Sequence, residues 1–354
     1  MSNDISKIDK NFAVESQINK TGMNFFNVLN APFKVHGVFM DSGSFCRLPI
    51  SVAKTVSQGV DDLNYHTAGG RVRFKTNSSR VAIITKQDRM TKMSDFTFTG
   101  AIGFDIYVKI DGREVYKGTF IPPFDVTDGY ESVITLEEVC TDKMNEIIIN
   151  FPLYGGVREL LVGVNEDAQI AEPDEYKYPV PVLYYGSSIT QGGCATRPGN
   201  SYQAMVSREL DCDYINLGFS GNAKAEDQMM DYMKNLKMSV FVYDYDHNAP
   251  SLEHLEATHE KGYKIIRESN PDLPIIFMSR PKYYLNQWEK ERLKLIKATY
   301  DKAVENGDKN VYFIDGPELM AIAKDDGTVD GCHPNDLGFY SMAAAVTKVL
   351  KTIL

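Results

Sequence analysis

The hydrophobic pattern of this chain changes period part-way along. From about residue 25 to residue 165, apolar and polar positions alternate in short runs broken by turn residues. Residues 71–75 alternate, Asn77-Ser78-Ser79 turns the chain, and residues 81–84 return, which predicts a hairpin. Residues 104–110 lead into Asp111-Gly112, a pair favoured in two-residue hairpin turns, and residues 114–120 follow. Further strands are expected at 132–136, 146–151 and 159–164, with one helix over 52–63. Many short antiparallel strands predict a β-sandwich. Arg71 and Arg73 share one strand face and could reach a neighbouring domain or a substrate, but a solvated face is the favoured reading because charged side chains seldom bury.

After Pro181 the period becomes mixed. Apolar runs at 182–185, 214–217, 240–245, 274–278 and 311–314 predict strands. Helical patterns occupy 201–210, 225–236, 252–268, 287–305 and 337–354. This alternation predicts a parallel sheet with helices on both faces. The expected plan is an N-terminal β-sandwich domain at 1–165, a polar, proline-containing linker at 166–178 and an α/β domain at 179–354.

Ligand sites in such sheets form outside the carboxyl ends of the strands. Those loops carry Gly186-Ser187-Ser188, Gly218-Phe219-Ser220-Gly221-Asn222, Asp244-Tyr245-Asp246-His247-Asn248 and, before the last helix, Asp330-Gly331-Cys332-His333-Pro334-Asn335. Acyl transfer needs these types. A serine hydroxyl is a weak nucleophile until a base takes its proton, a task suited to imidazole. A carboxylate fixes the tautomer of that base. The oxyanion needs N–H donors. The candidates are Ser188, His333 and Asp330, with the Ser188 and Gly221 backbone N–H groups and the Asn248 amide as oxyanion donors. Taken singly, each has a plainer reading: Gly-Ser-Ser and Gly221 as turns, Asn248 as a helix cap, Asp330 and His333 as a helix start capped by Asn335. Their joint placement in strand-end loops favours the chemical reading. Arg197, Lys224 and Arg280 are candidates to line a substrate site, and Arg197 is the one carried forward.

Composition narrows the classes. Of 354 residues, 43% are hydrophobic and 24% charged, as in ordinary globular proteins. A net charge of -10 argues against a nucleic-acid partner and, more weakly, against anionic membranes. No apolar stretch approaches membrane-spanning length, and residues 1–20 lack a signal-like apolar core, so a cytoplasmic protein is expected. The five cysteines are irregularly spaced without a Cys-x-x-Cys pair, indicating neither a disulfide framework nor a zinc site. Most are expected to be packing residues; Cys194 and Cys332 stand out because they adjoin the motifs above. His36 and His66 read as packed or solvated. His254 and His259, five apart, do not share a helix face and make a poor metal pair. No phosphate loop or dinucleotide fingerprint is present, so neither cofactor nor metal is expected. Exposed strand edges in the first half make a homo-oligomer conceivable.

These loops resemble the sequence blocks of the SGNH (GDSL-like) hydrolase family. Gly186-Ser187-Ser188-Ile189-Thr190 is similar to the first block and implies Ser188 as nucleophile. Asn216–Gly221 and Asp246–Ala249 are similar to the second and third, implying Gly221 and Asn248 as oxyanion donors, and Asp330 to His333 matches the Asp-x-x-His block. Ser187 replaces the family's usual acidic residue, and the third block lacks its usual glycine and aspartate. Gly103-Phe104-Asp105-Ile106-Tyr107 resembles the Gly-x-Asp-Leu-Tyr signature of a β-rich domain that precedes some of these hydrolases. The resemblance implies a flavodoxin-like parallel sheet after a jelly-roll-like sandwich. It also implies a serine esterase acting on short acyl groups, with acetylated sugars or oligosaccharides favoured. A thioesterase or lysophospholipase-type hydrolase and a catalytically degenerate carbohydrate-binding protein are the alternatives.

Overall fold

The computed structural model describes residues 5–136 and 143–354; Cys140 lies outside the described residues. The first half forms two large antiparallel sheets and a small two-stranded one, Phe39–Asp41 with Ser44–Cys46. One of the large sheets runs in the order Met23–Asn27, Gly156–Asn165, Arg80–Asp88, Gly129–Thr135. The other runs Ile170–Ala171, Arg71–Thr76, Asn145–Asn150, Phe104–Ile110, Arg113–Phe120, with Lys34–His36 also paired to Arg71–Thr76. Val72, Phe74, Ile106 and Ile147 of one sheet meet Val81, Ile83, Val162 and Val164 of the other in a shared core, as in a sandwich.

The hairpin expected over residues 71–84 is not formed: its two strands belong to different sheets. Period-two alternation is equally consistent with a crossing, because both strands present their apolar face to the same core from opposite sides. Ser78 makes the corner, its Oγ bonding to the Arg80 carbonyl and accepting from Asn165 N–H. The Asp111-Gly112 hairpin does form, with Ile110 opposite Arg113 and both turn residues at positive φ. The single helix expected at 52–63 is two, Ile50–Val56 and Gln58–Leu63, split where extended Ser57 caps the second.

The second half is a five-stranded parallel sheet. Its strands are β1 (Tyr178–Gly186), β2 (Cys212–Gly218), β3 (Val240–Asp244), β4 (Ile275–Met278) and β5 (Val311–Ile314). Their order is β2-β1-β3-β4-β5, a doubly wound arrangement whose switch point lies between β1 and β3. The helices are α1 (Ser188–Gln191), α2 (Tyr202–Leu210), α3 (Asp227–Met233), α4 (Leu252–Ser269), α5 (Gln287–Glu305), α6 (Gly316–Leu319) and α7 (Asp336–Leu350). Tyr184, Val242 and Ile276 face α2 and α7 on one side. Leu183, Tyr243 and Phe277 face α3, α4 and α5 on the other. Both faces are covered, which is why these strands read as unbroken apolar runs.

The two halves are joined by buried charge, and here the reading of Arg71 and Arg73 is corrected. Both are 2% exposed or less. Arg71 pairs with Asp213, donates to the Tyr176 hydroxyl at 2.8 Å and lies over the Tyr214 ring. Arg73 pairs with Glu146 and lies over Tyr176. Alternation identified their shared face but not that β2 and the segment before β1 would cover it. That segment, read as linker, also adds Ile170–Ala171 to a sandwich sheet. Among the described residues, no helix is long and apolar enough to cross a membrane.

Candidate functional site

Ser188 is the first residue of α1, immediately beyond the end of β1. Ser187 caps this helix, its Oγ accepting from the Ile189 N–H at 3.2 Å. An acidic residue is therefore unnecessary there for capping. A β-carbon on Gly186 would fall 2.1 Å from Thr190 Oγ1 and 2.3 Å from the Asp244 carbonyl. Only glycine lets the strand turn so tightly against β3.

The short helix is held from several directions. Thr190 donates to Asp244 at 2.9 Å, and its carbonyl accepts from Gln203 and Asn216, both at 2.7 Å. Burial pushes the Asp244 carboxyl up to about 8, the nearby Asp246 adding to this against the Thr190 bond. Asp244 is thus an uncharged link at neutral pH. Gln191 accepts from Ser220 N–H at 2.9 Å. Its Nε2 lies 3.2 Å from the Leu153 carbonyl and 3.1 Å from His66 Nδ1. Burial holds His66 down at about 3, so it is a neutral partner. The sandwich domain thereby braces both the nucleophile helix and the β2 loop. Arg47 strengthens that brace, bonding to the Gly218 carbonyl and stacking on Phe219.

His333 Nε2 lies 3.0 Å from Ser188 Oγ, and its Nδ1 lies 2.8 Å from Asp330 Oδ2. Asp330 Oδ1 accepts the backbone N–H groups of Cys332 at 2.9 Å and His333 at 2.7 Å. Partial burial alone would raise this carboxyl, but the bonds from the His333 ring and the two N–H groups outweigh it and hold it at about 2. An ionised carboxylate only accepts, so Nδ1 carries the proton and Nε2 faces the hydroxyl with its lone pair. Asn335 caps α7 by accepting from Gly338 N–H; the helix-start reading of this stretch holds alongside the chemical one. A second imidazole, His247, is kept neutral by burial and nearby Arg280. Its Nδ1 lies 3.7 Å from Cys332 Sγ.

The Ser188 N–H is one of the donors that a helix start leaves free. Gly221 sits at φ +68, where β-carbons are disfavoured. The Asn248 amide donates one hydrogen to the Phe219 carbonyl at 2.7 Å, which leaves its second hydrogen available. Arg292 fixes this third loop, bonding Asp246 at 2.6 Å and the Ala249 carbonyl at 3.1 Å.

Arg197 is not brought to this constellation. Its guanidinium bonds the Tyr107 hydroxyl and Asp105 and lies over the Tyr116 ring. Asp105, wholly buried, also accepts from Gly199 N–H at 2.8 Å and from Asn150 at 2.8 Å. The Gly-Phe-Asp-Ile-Tyr signature is therefore a clasp between the domains, gripping the turn that precedes α2. Arg197 does border a groove of about 1110 Å³ with Arg113, Arg208, Tyr340 and Lys348, and none of the triad candidates lines it. Arg280 is occupied by Asp246, Glu289 and Trp288. His259 is a core residue stacked on Tyr243, not a ligand. Burial pushes the Cys194 thiol up to about 12, with Asp95 and Asp330 adding to it, so it is no competing nucleophile.

The bracing roles of His66, Gln191, Asn216, Asp244 and Arg292 were not legible in the sequence. Each acts through a partner more than 25 residues away, and no local spacing marks such a pair.

Residues 179–351 match the family model described as GDSL-like lipase/acylhydrolase. Residues 23–170 match GxDLY, the N-terminus of SGNH-type esterases. No curated protein matches the chain. Among solved structures, one described as a GDSL-like lipase from Bacteroides ovatus is similar, with 28% identity and a TM-score of 0.82 over 93% of this chain and 98% of that one. A salicylyl-acyltransferase from a tetracycline biosynthetic pathway is similar at 17% identity, TM-score 0.75, over 95% and 99%. An acetyl xylan esterase from the rumen bacterium Butyrivibrio proteoclasticus is similar at 12% identity, TM-score 0.59, over 94% and 98%. The last two share the fold.

Proposed function

Since the second half of the chain belongs to the GDSL-like lipase/acylhydrolase family and the first to the N-terminal domain of SGNH-type esterases, we propose that the protein is a serine esterase. It removes short acyl groups, acetyl foremost, from carbohydrate esters. The observation that carries this reading is the continuous relay from Asp330 through His333 to Ser188, at 2.8 and 3.0 Å.

In this reading Ser188 Oγ attacks the acyl carbonyl as His333 Nε2 takes its proton. The oxyanion is received by the N–H groups of Ser188 and Gly221 and the free amide hydrogen of Asn248. One such donor is worth about 3–4 kcal/mol in the transition state. His333 then protonates the departing alcohol. Water, activated by the same imidazole, releases the acid from the acyl-enzyme, and Asp330 steadies the imidazolium in both halves. The fold shared with an acetyl xylan esterase supports the acetyl and carbohydrate parts by analogy. Tyr154 of the sandwich domain donates to the Ser188 carbonyl at 3.3 Å and packs edge-on against Phe96, a further tie between that domain and the nucleophile helix.

The test is hydrolysis of 4-nitrophenyl acetate, butyrate and octanoate by wild type and Ser188→Ala, followed by acetate release from acetylated oligosaccharides. Acetate should be preferred, and Ser188→Ala should lose at least about 10⁴-fold in kcat. Preference for octanoate would replace this reading with the thioesterase or lysophospholipase one. Wild type inactive on every ester would leave a carbohydrate-binding protein.

A further inference from the structure

Beside the relay, Asp95, Cys194 and His333 each offer a ligand atom, and the three atoms lie within 4.8 Å of one another. They arrive from three parts of the chain: a loop of the sandwich domain, the turn after α1 and the loop before α7. We propose that these residues form a binding site for a borderline-soft divalent cation, zinc foremost, and that its occupancy switches the hydrolase off.

The donor set suits the ion. A sulfur, an imidazole nitrogen and a carboxylate oxygen select zinc over magnesium or calcium. Thiolate and carboxylate together cancel its charge, the Cys194 proton passing to solvent on binding. Three protein ligands leave a fourth position for water, as in open tetrahedral sites. Bonds of about 2.0–2.3 Å put tetrahedral ligands roughly 3.4–3.8 Å apart, so closure needs a movement of about 1 Å. Asp95 can supply this, being an exposed side chain.

A second observation points the same way. Zinc-binding histidines donate their other ring N–H to a carboxylate, which fixes the tautomer and raises ligand basicity. Asp330 already does this for His333, at 2.8 Å. With Nδ1 engaged by Asp330, the Nε2 that faces Ser188 is the nitrogen left to bind a metal. One lone pair cannot serve both, and Ser188 Oγ lies 3.0 Å from that same nitrogen. A bound ion therefore removes the base. The inhibitory consequence rests on the esterase reading; the binding site itself does not.

The experiment titrates buffered free zinc into wild type, Cys194→Ala and Asp95→Asn while following 4-nitrophenyl acetate hydrolysis. In parallel, zinc binding to Ser188→Ala is measured by calorimetry, with and without the added Cys194→Ala change. Wild type should be inhibited reversibly, recover on chelation and ignore magnesium. Each variant should retain its basal rate and need at least about tenfold more zinc. In the calorimeter, Ser188→Ala should bind one zinc ion and lose at least tenfold in affinity with Cys194→Ala. Equal zinc sensitivity in wild type and both variants would overturn the proposal, as would zinc binding to Ser188→Ala that is indifferent to Cys194. Cysteine-dependent zinc binding in a protein that hydrolyses no ester would support the site and sink the esterase reading alone.

Discussion

The two sides of the relay are built in different ways. Ser188 stands on a helix whose four residues are all buried and tied by long-range bonds to β2, β3, α2 and the sandwich domain. His333 and Asp330 stand on a loop where both side chains are about a third exposed, at 28% and 34%. That loop is held largely by its own bonds, the two N–H groups on Asp330 and the Val329 N–H on the His333 carbonyl. The nucleophile is positioned by the whole molecule, whereas the base is positioned largely by the five residues Val329 to His333. Damage on the base side should therefore cost rate with little loss of stability. Damage behind the nucleophile should cost both.

The sharpest way to break this contrast is Asp330→Asn. The amide keeps one oxygen for the two backbone N–H groups but cannot accept from Nδ1 as the carboxylate does. The imidazole then favours the wrong tautomer, and kcat should fall by about 10²–10⁴-fold. Stability should fall by only about 1 kcal/mol, the net worth of one partly exposed bond. A large loss of stability would show that the loop is not self-contained.

Gln191→Ala tests the other side. It strips partners from buried His66, the Leu153 carbonyl and the Ser220 N–H. Unpaired buried groups should cost about 2–3 kcal/mol in chemical denaturation. Loosening of Ser188 and of the loop bearing Gly221 should lower kcat by about tenfold. Unchanged stability would contradict the bracing role of the sandwich domain.

Asp244→Asn tests the same side through pH rather than through rate. Burial raises this carboxyl from 3.8 to about 8, so the folded protein holds a proton that the unfolded chain releases. Its contribution to stability is full below about pH 4 and declines as pH rises towards 8. Asparagine has no proton to lose, so the variant lacks this decline. Denaturation at pH 4, 6 and 8 should show the variant gaining on wild type with each step. A gap independent of pH would mean that Asp244 is ionised in the folded state.

The same contrast governs what was legible in the sequence. Asp330 and His333, three apart, carry their own geometry, so the pair can be read as a string. Helices such as Gln287–Glu305 and strands such as Val311–Ile314 are legible for the same reason: their periodicity is local. The hairpin expected over 71–84 failed because alternation reports which face is buried, not which strand lies alongside. Arg71 and Arg73 were misread because their shared face is covered by distant Asp213 and Tyr214. Arg197 was misread because its partners, Asp105 and Tyr107, sit in the other domain. In each case the deciding partner lay far along the chain.

The central claim is that Ser188 becomes acylated during turnover. The most direct measurement is acid quench of wild type mixed with 4-nitrophenyl acetate, followed by mass spectrometry of the intact protein and its peptides. The account predicts one acetyl group per molecule on the peptide bearing Ser188, located at that residue and not at Ser187, and absent from Ser188→Ala. Turnover with no adduct at any quench time, or an adduct located at Ser187, Ser220 or a cysteine, would contradict it.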